Sequence, residues 1–513
     1  MSQNFMPTLS KSKLIAFRQC PKRLWLEVHR PDLREDSPQT QARFEVGYQV
    51  GDIAKRIYDP QEIGAVIDFK TEGFKGAFER TAVLVANFRQ PVFEAGFKAA
   101  GALAFADVLL PDLENGQPVW RMVEVKSATG VHDYHRDDIA VQTFVAKEAG
   151  VPLKSVALAH IDSSWVYPGD GDYRGLLTEA DLTADAFARL GEVREWIADA
   201  QKIVALPDEP TVAVGPQCHD PFDCGFCTYC NKNIPQPEYP VDWLPRLSPS
   251  QRTQLAEQGV NDLRDVPDEL LGDTQMMVKE HTLAGTVRFD AEGAAEDLAP
   301  YGFPAYFLDF ESVQFAVPIW KGTRPYQQIV FQFSLHKLDK SGDLIQIGCL
   351  NLSGEDPSEA IARELIKVCG KKGPVFVYHA GFETARIREL AERFPELAKP
   401  LLAINERVVD LLPIARNRYY HHSQQGSWSI KAVLPAAVPE LSYDTLDGVV
   451  DGGTAMNAYC EAIQPGTTPE RKREIEKQLL AYCRMDTLAM VRLWEFFTGC
   501  KGKVDAPDSS ETK

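Results

Sequence analysis

Two α/β domains, each built on a mixed sheet, are predicted for this chain of 513 residues. Short apolar runs typical of strands alternate with segments of helical periodicity. A proline-rich stretch at residues 231–246 interrupts this alternation, and a new apolar strand begins at residue 305. We therefore expect domains at 1–235 and 301–500, a helical connector at 236–300 and a disordered tail at 501–513.

The elements of the first domain follow from the spacing of its apolar residues. Residues 12–30 indicate two helices separated by the pair Cys20-Pro21, and residues 41–57 and 138–149 also have helical spacing. The turn LENGQP separates two apolar runs, as a β-hairpin requires. The expected strands lie at 66–69, 92–97, 102–110, 119–126 and 156–161.

The connector and the second domain continue the pattern. The connector contains two helix-like pieces within residues 247–293, and the second domain opens with the strand AYFLDFESV. Further strands are expected at 328–337, 345–352 and 374–379, and helices at 357–369, from 382 onward and at 470–498.

Composition limits the class of protein. The 44% hydrophobic and 25% charged residues are typical of a globular protein, and no apolar run approaches the roughly 18 residues of a membrane helix. The first residues lack the apolar core of a secretory signal, so we expect a cytoplasmic protein with reduced cysteines and no membrane partner. The net charge of −18 argues against passive coating of nucleic acid, although the basic stretch from Lys11 to Arg34 could line a binding groove.

The first candidate site combines Asp107 with Glu124, Lys126 and Gln142. Asp107 lies inside an otherwise apolar strand, where an unpaired carboxylate is costly. Glu124 and Lys126 alternate on the next strand and therefore share one face. Two carboxylates and the Val125 carbonyl suit Mg²⁺ or Mn²⁺, while Lys126 could orient and acidify the attacking water and Gln142 could fix water or phosphate. A surface hairpin with salt-bridged charges is the alternative.

Residues 9–232 resemble the RecB-like branch of the PD-(D/E)XK nucleases, which includes the CRISPR-associated RecB-family exonucleases. The matching pieces are LSKSKLIAFRQCPKRLWL, Asp107, EVK at 124–126, AVQTFVAKEAG with Gln142, and the closing cysteines. The resemblance implies a restriction-endonuclease-like fold that cleaves DNA, with Asp107 and Glu124 as metal ligands and Lys126 as a catalytic residue. Many members carry a histidine ligand after a Gly-x-x-Val step, whereas Gly47-Tyr48-Gln49-Val50 is followed here by Gly51. One-metal catalysis, a substitute such as Glu45, or an inactive site would each account for this departure.

Four cysteines crowd the end of this domain, in the segment CHDPFDCGFCTYC. Cys218, Cys224, Cys227 and Cys230 follow a C-x5-C-x2-C-x2-C spacing, whose last part is more typical of iron–sulfur ligation than of paired zinc ligands. The family resemblance adds Cys20 as the ligand from the N-terminal Cys-Pro pair. On that resemblance we favour a 4Fe–4S cluster on Cys20, Cys218, Cys224 and Cys230, with Cys227 in reserve and zinc as the alternative.

The second candidate site combines Asp309 and Glu311 with Tyr482 and Asp486. Asp309 and Glu311 alternate on one strand, and Tyr482 and Asp486 lie one turn apart on the last helix. Three carboxylates that meet at a sheet could hold two Mg²⁺ ions, one for the attacking water and one for the leaving oxygen. Tyr482 would orient the water.

Residues 304–498 resemble the DnaQ-like, or DEDD, 3′–5′ exonucleases of the ribonuclease H-like fold. LDFES matches the first motif, VYHAGFETARI the second, AYCRMD the third of the tyrosine subtype, and SWSIKAVLP the segment between the last two. The second motif normally ends in Phe-Asp, whereas this chain has Phe382-Glu383, so Glu383 takes the place of an aspartate. Its extra methylene displaces the carboxylate by about one bond, which matters where ~1 Å changes a rate. Asp410 is an additional candidate acid.

Together these features predict a metal-dependent nuclease. The expected reaction is exonucleolytic hydrolysis of phosphodiester bonds in DNA with Mg²⁺ or Mn²⁺. DNA is favoured over RNA as the partner, and the sequence identifies no protein partner. One alternative is a nucleic-acid-binding scaffold with one or both sites inactive, and another is an RNA-processing exonuclease. The pairing of the two domain types also resembles a bacterial protein family of unassigned function.

Overall fold

The computed structural model describes residues 7–232 and 234–500, and it divides into two compact units. The first unit comprises Met1–Ile234 with Phe315–Gln327, and the second comprises Pro235–Gln314 with Gln328–Lys513. Both units mix helices with sheets, which confirms the predicted α/β class. The tail predicted at 501–513 lies outside the described residues.

The first unit is built on a mixed sheet in which β1 pairs with β4 and the other strands follow the order β2-β3-β4-β5-β6-β7. Its strands are β1 (Leu9–Ser10), β2 (Ala65–Val66), β3 (Val92–Ala99), β4 (Ala102–Glu114), β5 (Gln117–Lys126), β6 (Leu153–Ile161) and β7 (Leu177–Asp181). Its helices are α1 (Lys11–Gln19), α2 (Pro21–His29), α3 (Pro38–Tyr58), α4 (Phe69–Asn87), α5 (Asp133–Glu148), α6 (Thr183–Ala188), α7 (Leu190–Val204) and α8 (Cys227–Asn231).

The strand predicted at 66–69 is wrong beyond Val66, because β2 is Ala65–Val66. The side chain of Asp68 accepts hydrogen bonds from the backbone N–H groups of Lys70 and Thr71, at 3.0 and 3.4 Å, and so caps a helix that begins at Phe69. The strand prediction rested on apolar periodicity alone, which does not detect a helix N-cap such as Asp68. The predicted break at Cys20 is confirmed, because α1 ends at Gln19 and Pro21 opens α2.

Helix α5 is the central helix of the first unit and is buried from Ile139 to Ala146. Its apolar residues pack with Met122 and Leu158 of the sheet in one hydrophobic core. Because Met122, Glu124 and Lys126 alternate on β5, the last two side chains continue along the sheet face that α5 covers. The core thereby fixes the place where polar residues of β5 and α5 meet.

The second unit contains a sheet in the order β11-β10-β9-β12-β13 and a separate pair of strands, β14 with β8. Its strands are β8 (Val287–Phe289), β9 (Ala305–Val313), β10 (Ile329–Leu338), β11 (Leu344–Leu350), β12 (Val375–Val377), β13 (Val408–Asp410) and β14 (Tyr419–His421). Its helices are α9 (Pro249–Glu257), α10 (Asp273–Ala284), α11 (Ala291–Leu298), α12 (Ser358–Val368), α13 (Gly381–Arg393), α14 (Ala398–Asn405), α15 (Leu411–Arg418), α16 (Ile430–Ala437), α17 (Gly452–Ala462) and α18 (Pro469–Thr498).

Strand β9 is the middle strand of this sheet, antiparallel to β10 and parallel to β12. Its alternate residues enter two different cores. Tyr306, Leu308 and Phe310 pack in the core that contains α12, α13 and α14. Ala305 and Phe307 pack in the core that contains α18, together with residues of α10 and α11 from the predicted connector.

Polar contacts attach α18 to β10. Gln332 donates to the carbonyl of Leu479 at 2.8 Å, and the Thr487 hydroxyl lies 2.7 Å from the Ser334 hydroxyl and 2.8 Å from Nδ1 of His336. These groups are buried, so the contacts set the position of the helix along the strand. Among the described helices, none has the length and apolar character needed to cross a membrane.

Candidate metal centres

The first site begins where strands β4 and β5 stop pairing. Their antiparallel register pairs Val108 with Val123, so Asp107 and Glu124 are the next residues on the two strands. There a side chain takes over from the backbone hydrogen bonds between the strands: Oδ2 of Asp107 accepts a hydrogen bond from the Val125 N–H at 2.7 Å. The hairpin thus brings together the two carboxylates that the sequence predicts as metal ligands.

Glu124 lies at the middle of a buried network. Its Oε1 accepts hydrogen bonds from Lys11 at 2.8 Å and Lys126 at 2.7 Å, and its Oε2 accepts one from Gln142 at 2.5 Å. Only 1% of the Glu124 side chain is exposed. Burial acts to raise its pKa, but the two ammonium groups outweigh burial and hold the pKa well below its usual range.

Sequence reasoning missed two members of this network, Lys11 and Asp138. Asp138 accepts from Lys126 at 2.5 Å and forms an ion pair with Lys11 at 3.2 Å. Asp138 precedes Gln142 by four residues, so the two side chains project from the same face of α5. That spacing was the available signal for Asp138, whereas Lys11 reaches the site only through the packing of α1.

The electrostatics of the first site make Lys126 a fixed positive charge. Burial acts to lower its pKa, but the carboxylates of Asp138, Glu124 and Asp107 outweigh burial and raise the pKa well above its usual range. The pKa of Asp107 is raised, first by burial and then by the charge of Glu124. Lys126 is therefore suited to orienting water and stabilising negative charge, not to accepting a proton.

A third carboxylate, Glu94, lies on the neighbouring strand at the level of Asp107. Strand β3 pairs Phe93 with Val108 and Ala95 with Ala106, and Glu94 between them has a φ of 57°, a left-handed conformation that costs energy for a residue with a side chain. Burial, and to a smaller extent the charge of Glu124, raises its pKa. Glu45, considered as a substitute ligand, is exposed on α3.

The five predicted cysteines come together around one cavity. Gln19 attaches α1 to the C-terminal cysteine segment by donating to the carbonyls of Gln217 and Phe222, at 2.8 and 2.6 Å. The thiol of Cys227 lies 3.6 Å from the Cys218 carbonyl oxygen, to which it donates a hydrogen bond. Cys20 and the cysteines of the C-terminal segment, nearly 200 positions away in the sequence, thus line the same small cavity.

Two cations from α2 lie near these thiols. Burial raises the pKa of Cys224 and of Cys230, while the charge of Arg23 lowers that of Cys224 and the charge of Lys22 lowers that of Cys230. Burial is the larger effect on both pKa values, and the two positive charges act in the opposite direction, which favours thiolates and hence metal or cluster ligation. The thiol donors of this cavity fit both candidate groups in their chemistry, an iron–sulfur cluster and zinc, while no three of the five sulfur atoms lie within 4.8 Å of one another.

The second site forms where β9 meets α18. Asp309 and Glu311 continue the face of β9 that packs against this helix, and α18 presents Tyr482, Cys483 and Asp486. Ligand atoms of Asp309, Glu311 and Cys483 all lie within 4.8 Å of one another. Within residues 7–232 and 234–500, no other set of three His, Cys, Asp or Glu side chains has its ligand atoms this close together, and Asp486 lies outside the set.

Asp486 contacts a residue that the sequence did not identify. The hydroxyl of Tyr443 donates to its Oδ1 at 2.6 Å. Burial raises the pKa of Asp486 to about 6, against the opposing effects of Tyr443, Lys431 and Tyr482. Lys431 lies over the rings of Tyr482 and Tyr443, at 5.1 and 5.5 Å, and donates to the Val450 carbonyl at 2.6 Å. It belongs to the SWSIKAVLP segment, whose resemblance to the exonucleases assigns no role to this lysine.

The remaining carboxylates of the second site have few partners. Burial raises the pKa of Glu311 to about 8, and the charge of Asp486 adds to the effect. Burial likewise raises the pKa of Glu383 to about 8, and Oε2 of Glu383 is buried without a hydrogen-bond partner among the described residues. The pKa of Asp309 is raised by burial and then by Asp486, Glu311 and Glu383, in that order. A cation would relieve this accumulation of buried acidic groups.

Asp410, the additional candidate acid, has a different environment. Its two oxygens accept the backbone N–H groups of His379 and Ala380 at 2.9 and 3.0 Å, and one of them also accepts that of Leu412 at 2.9 Å. The side chain therefore caps α15 and holds the turn that precedes α13, the helix that carries Glu383. Asp410 positions that helix.

Comparison with known proteins adds one match. Residues 306–429 match the model of a family described as a domain of unknown function, DUF2779. The matched region begins within β9 and ends just before α16, so it contains Asp309, Glu311 and Glu383 but not Tyr482 and Asp486. No curated protein is similar in sequence to the chain.

The raised pKa values predict how the metal-free protein responds to pH. The pKa of Glu311 rises from 4.5 in the unfolded chain to about 8 in the folded protein, so the folded state holds a proton that the unfolded state has lost between these values. This group's contribution to stability is therefore full below pH 4.5 and is lost as the pH rises toward 8. In thermal unfolding without metal, we expect Glu311→Gln to have a higher midpoint than wild type at pH 8 and a smaller advantage at pH 5.

Added Mn²⁺ should raise the wild-type midpoint at pH 8 more than that of Glu311→Gln. The exposed Glu355 provides the matched control, and Glu355→Gln should follow wild type at both pH values. Equal pH dependence in all three proteins would contradict the electrostatic description of the site.

Proposed function

We propose that the chain is a metal-dependent nuclease that hydrolyses phosphodiester bonds in DNA. The observation that carries this proposal is the meeting of Asp309, Glu311 and Asp486 at the contact of β9 with α18. In support, the charge of Asp486 raises the pKa of both Asp309 and Glu311, and the charge of Lys431 lowers that of Glu311 and of Asp486. Such a set of oxygen donors suits Mg²⁺ or Mn²⁺.

Each residue of the second site then has a definite role. Asp309, Glu311 and Asp486 would hold the cation, and the buried Glu383 would supply a further oxygen. A divalent cation bound there would activate water and neutralise the charge that develops on the phosphate.

Two tyrosines would support this centre. Tyr482, whose ring lies beneath Lys431, would orient the attacking water. Tyr443 would keep Asp486 in one orientation through its 2.6 Å hydrogen bond. This arrangement supports the DEDD-type exonuclease resemblance.

The first unit would act as a second nuclease centre of the RecB-like type. Asp107 and Glu124 would hold the metal, and Lys126 would stabilise negative charge on the phosphate. Gln142, which donates to Glu124 at 2.5 Å, would keep that carboxylate oriented. The resemblance of this unit to DNA-cleaving enzymes is the reason for naming DNA as the substrate.

A second candidate role for the first unit is binding of nucleic acid without cleavage. Here Glu124 already has two lysine partners, Lys11 and Lys126, at hydrogen-bonding distance. A metal ion at Glu124 would compete with Lys11, whereas a phosphate could bind to the two ammonium groups directly. Cleavage measurements on separate variants of the two sites distinguish these roles.

For the cysteine cavity we propose a 4Fe–4S cluster, with zinc as the alternative occupant. Cys20, Cys218, Cys224 and Cys230 would be its ligands. The hydrogen bond from Cys227 to the Cys218 carbonyl supports the choice of the other four, because it gives the Cys227 thiol a partner within the protein. The cluster would join the two ends of the first domain.

The nuclease proposal predicts the outcome of a cleavage assay with labelled single-stranded and duplex DNA in Mg²⁺ or Mn²⁺. Asp309→Ala should lower cleavage by the second site about 100-fold or more, because a ligand is lost. Lys126→Ala should remove about 100-fold of the activity of the first site if that site cuts. The matched controls are Asp343→Ala, an exposed acid in a turn, and Lys154→Ala, a surface lysine paired with Asp112.

Loss in one variant alone assigns the activity to that site, and loss in Asp309→Ala alone favours the binding role for the first unit. Absence of metal-dependent cleavage in wild type, or equal cleavage by wild type and both site variants, would contradict the proposal. Parallel reactions with RNA of the same sequence determine the sugar preference.

The cysteine proposal predicts that anaerobically purified protein is brown and holds about four iron atoms per chain. Cys20→Ser should lose the iron because it removes the N-terminal ligand, whereas Cys227→Ser should retain it. Cys349→Ser, a half-buried cysteine of β11, is the control and should match wild type. Colourless protein that contains zinc and no iron would overturn the iron–sulfur assignment.

A further inference from the structure

Cys483 brings a sulfur atom into a site that is otherwise built from oxygen. Its Sγ lies 3.5 Å from Oδ2 of Asp309 and 3.8 Å from the Asp309 carbonyl oxygen. Sγ also lies within 4.8 Å of a carboxylate oxygen of Glu311. The residue is fully buried on α18, between the metal-site residues Tyr482 and Asp486.

Glu311 provides an independent sign that a ligand belongs here. The residue is 8% exposed, and within the described part of the chain its carboxylate has no hydrogen-bond donor. Burying a carboxylate without a hydrogen-bond donor costs free energy. Because the Glu311 carboxylate lies beside a thiol and a second carboxylate, a bound cation would remove that cost.

The spacing of the donor atoms matches a tetrahedral zinc-type site. With metal–sulfur and metal–oxygen bonds of about 2.3 and 2.1 Å, two ligands at a tetrahedral angle lie about 3.6 Å apart. The distance of 3.5 Å between Cys483 Sγ and Asp309 Oδ2 agrees with this value. A site for Mg²⁺ requires only hard oxygen ligands and gains nothing from sulfur.

We propose that Asp309, Glu311 and Cys483 form a mixed oxygen–sulfur site for a thiophilic divalent cation of the zinc class. On binding, the thiol proton of Cys483 passes to solvent and a metal–sulfur bond forms, with no change in oxidation state. The fourth position is open to water. If the proposed nuclease function holds, this cation competes with Mg²⁺ for Asp309 and Glu311 and thereby regulates the second site.

The test uses Cd²⁺ as a spectroscopic probe for the zinc class, because a thiolate–cadmium bond gives an ultraviolet charge-transfer band. The full-length chain is titrated with Cd²⁺ in the presence of excess Mg²⁺. The number of Cd²⁺ ions bound per chain is then compared between wild type and variants. Cys483→Ser should bind one equivalent less than wild type and lose the corresponding absorbance. Cys349→Ser, which alters a half-buried cysteine of the same unit, should bind the same number as wild type.

Glu311→Gln keeps the sulfur and removes one oxygen ligand. It should retain the Cys483-dependent band but weaken that equivalent by about tenfold or more. If a thermal-unfolding control shows that Cys483→Ser is not folded, the affinity of Glu311→Gln for Cd²⁺ tests the three-ligand site instead. Unchanged stoichiometry in Cys483→Ser, or unchanged affinity in Glu311→Gln, would overturn the three-ligand site. Because absorbance is independent of cleavage, failure of the nuclease proposal leaves this result interpretable.

Discussion

The burial of several carboxyl groups with few counter-charges is the constraint on which the second unit depends. Asp309 and Glu311 project from the middle strand of the sheet, and α18 covers them with Asp486. The helix is held there by apolar packing and by its polar contacts to β10. The fold therefore imposes the proximity of the acids, and protonation or a bound cation must relieve it.

The first unit meets the same problem with internal cations. Lys11 and Lys126 both contact Glu124, and both also pair with Asp138. Glu124 and Asp138 are therefore compensated within the protein, whereas in the second site Lys431 acts on Glu311 and Asp486, and Arg386 acts on Glu383. This difference explains why we base the nuclease proposal on the second unit, although the sequence motifs of the first are as specific.

Sequence reasoning succeeded where one local period decides the structure. The alternation in AYFLDFESV correctly gave strand β9 and placed Asp309 and Glu311 on one face, and the Cys20-Pro21 break correctly separated two helices. It failed where tertiary packing brings a distant group to the site, because no local pattern encodes such an approach. The residues missed for this reason are Lys11, Glu94, Lys431 and Tyr443. Asp138 and Cys483 were missed although they lie on predicted helices, four residues before Gln142 and next to Tyr482.

The most direct measurement of the central claim is anomalous diffraction from crystals of the full-length protein grown with Mn²⁺. The claim is that the second unit assembles Asp309, Glu311 and Asp486 to hold a divalent cation. It predicts an anomalous peak in direct contact with carboxylate oxygens of Asp309 and at least one of the other two acids. A fully ordered site with no peak at saturating Mn²⁺, or with the three carboxylates turned away from one another, would contradict it.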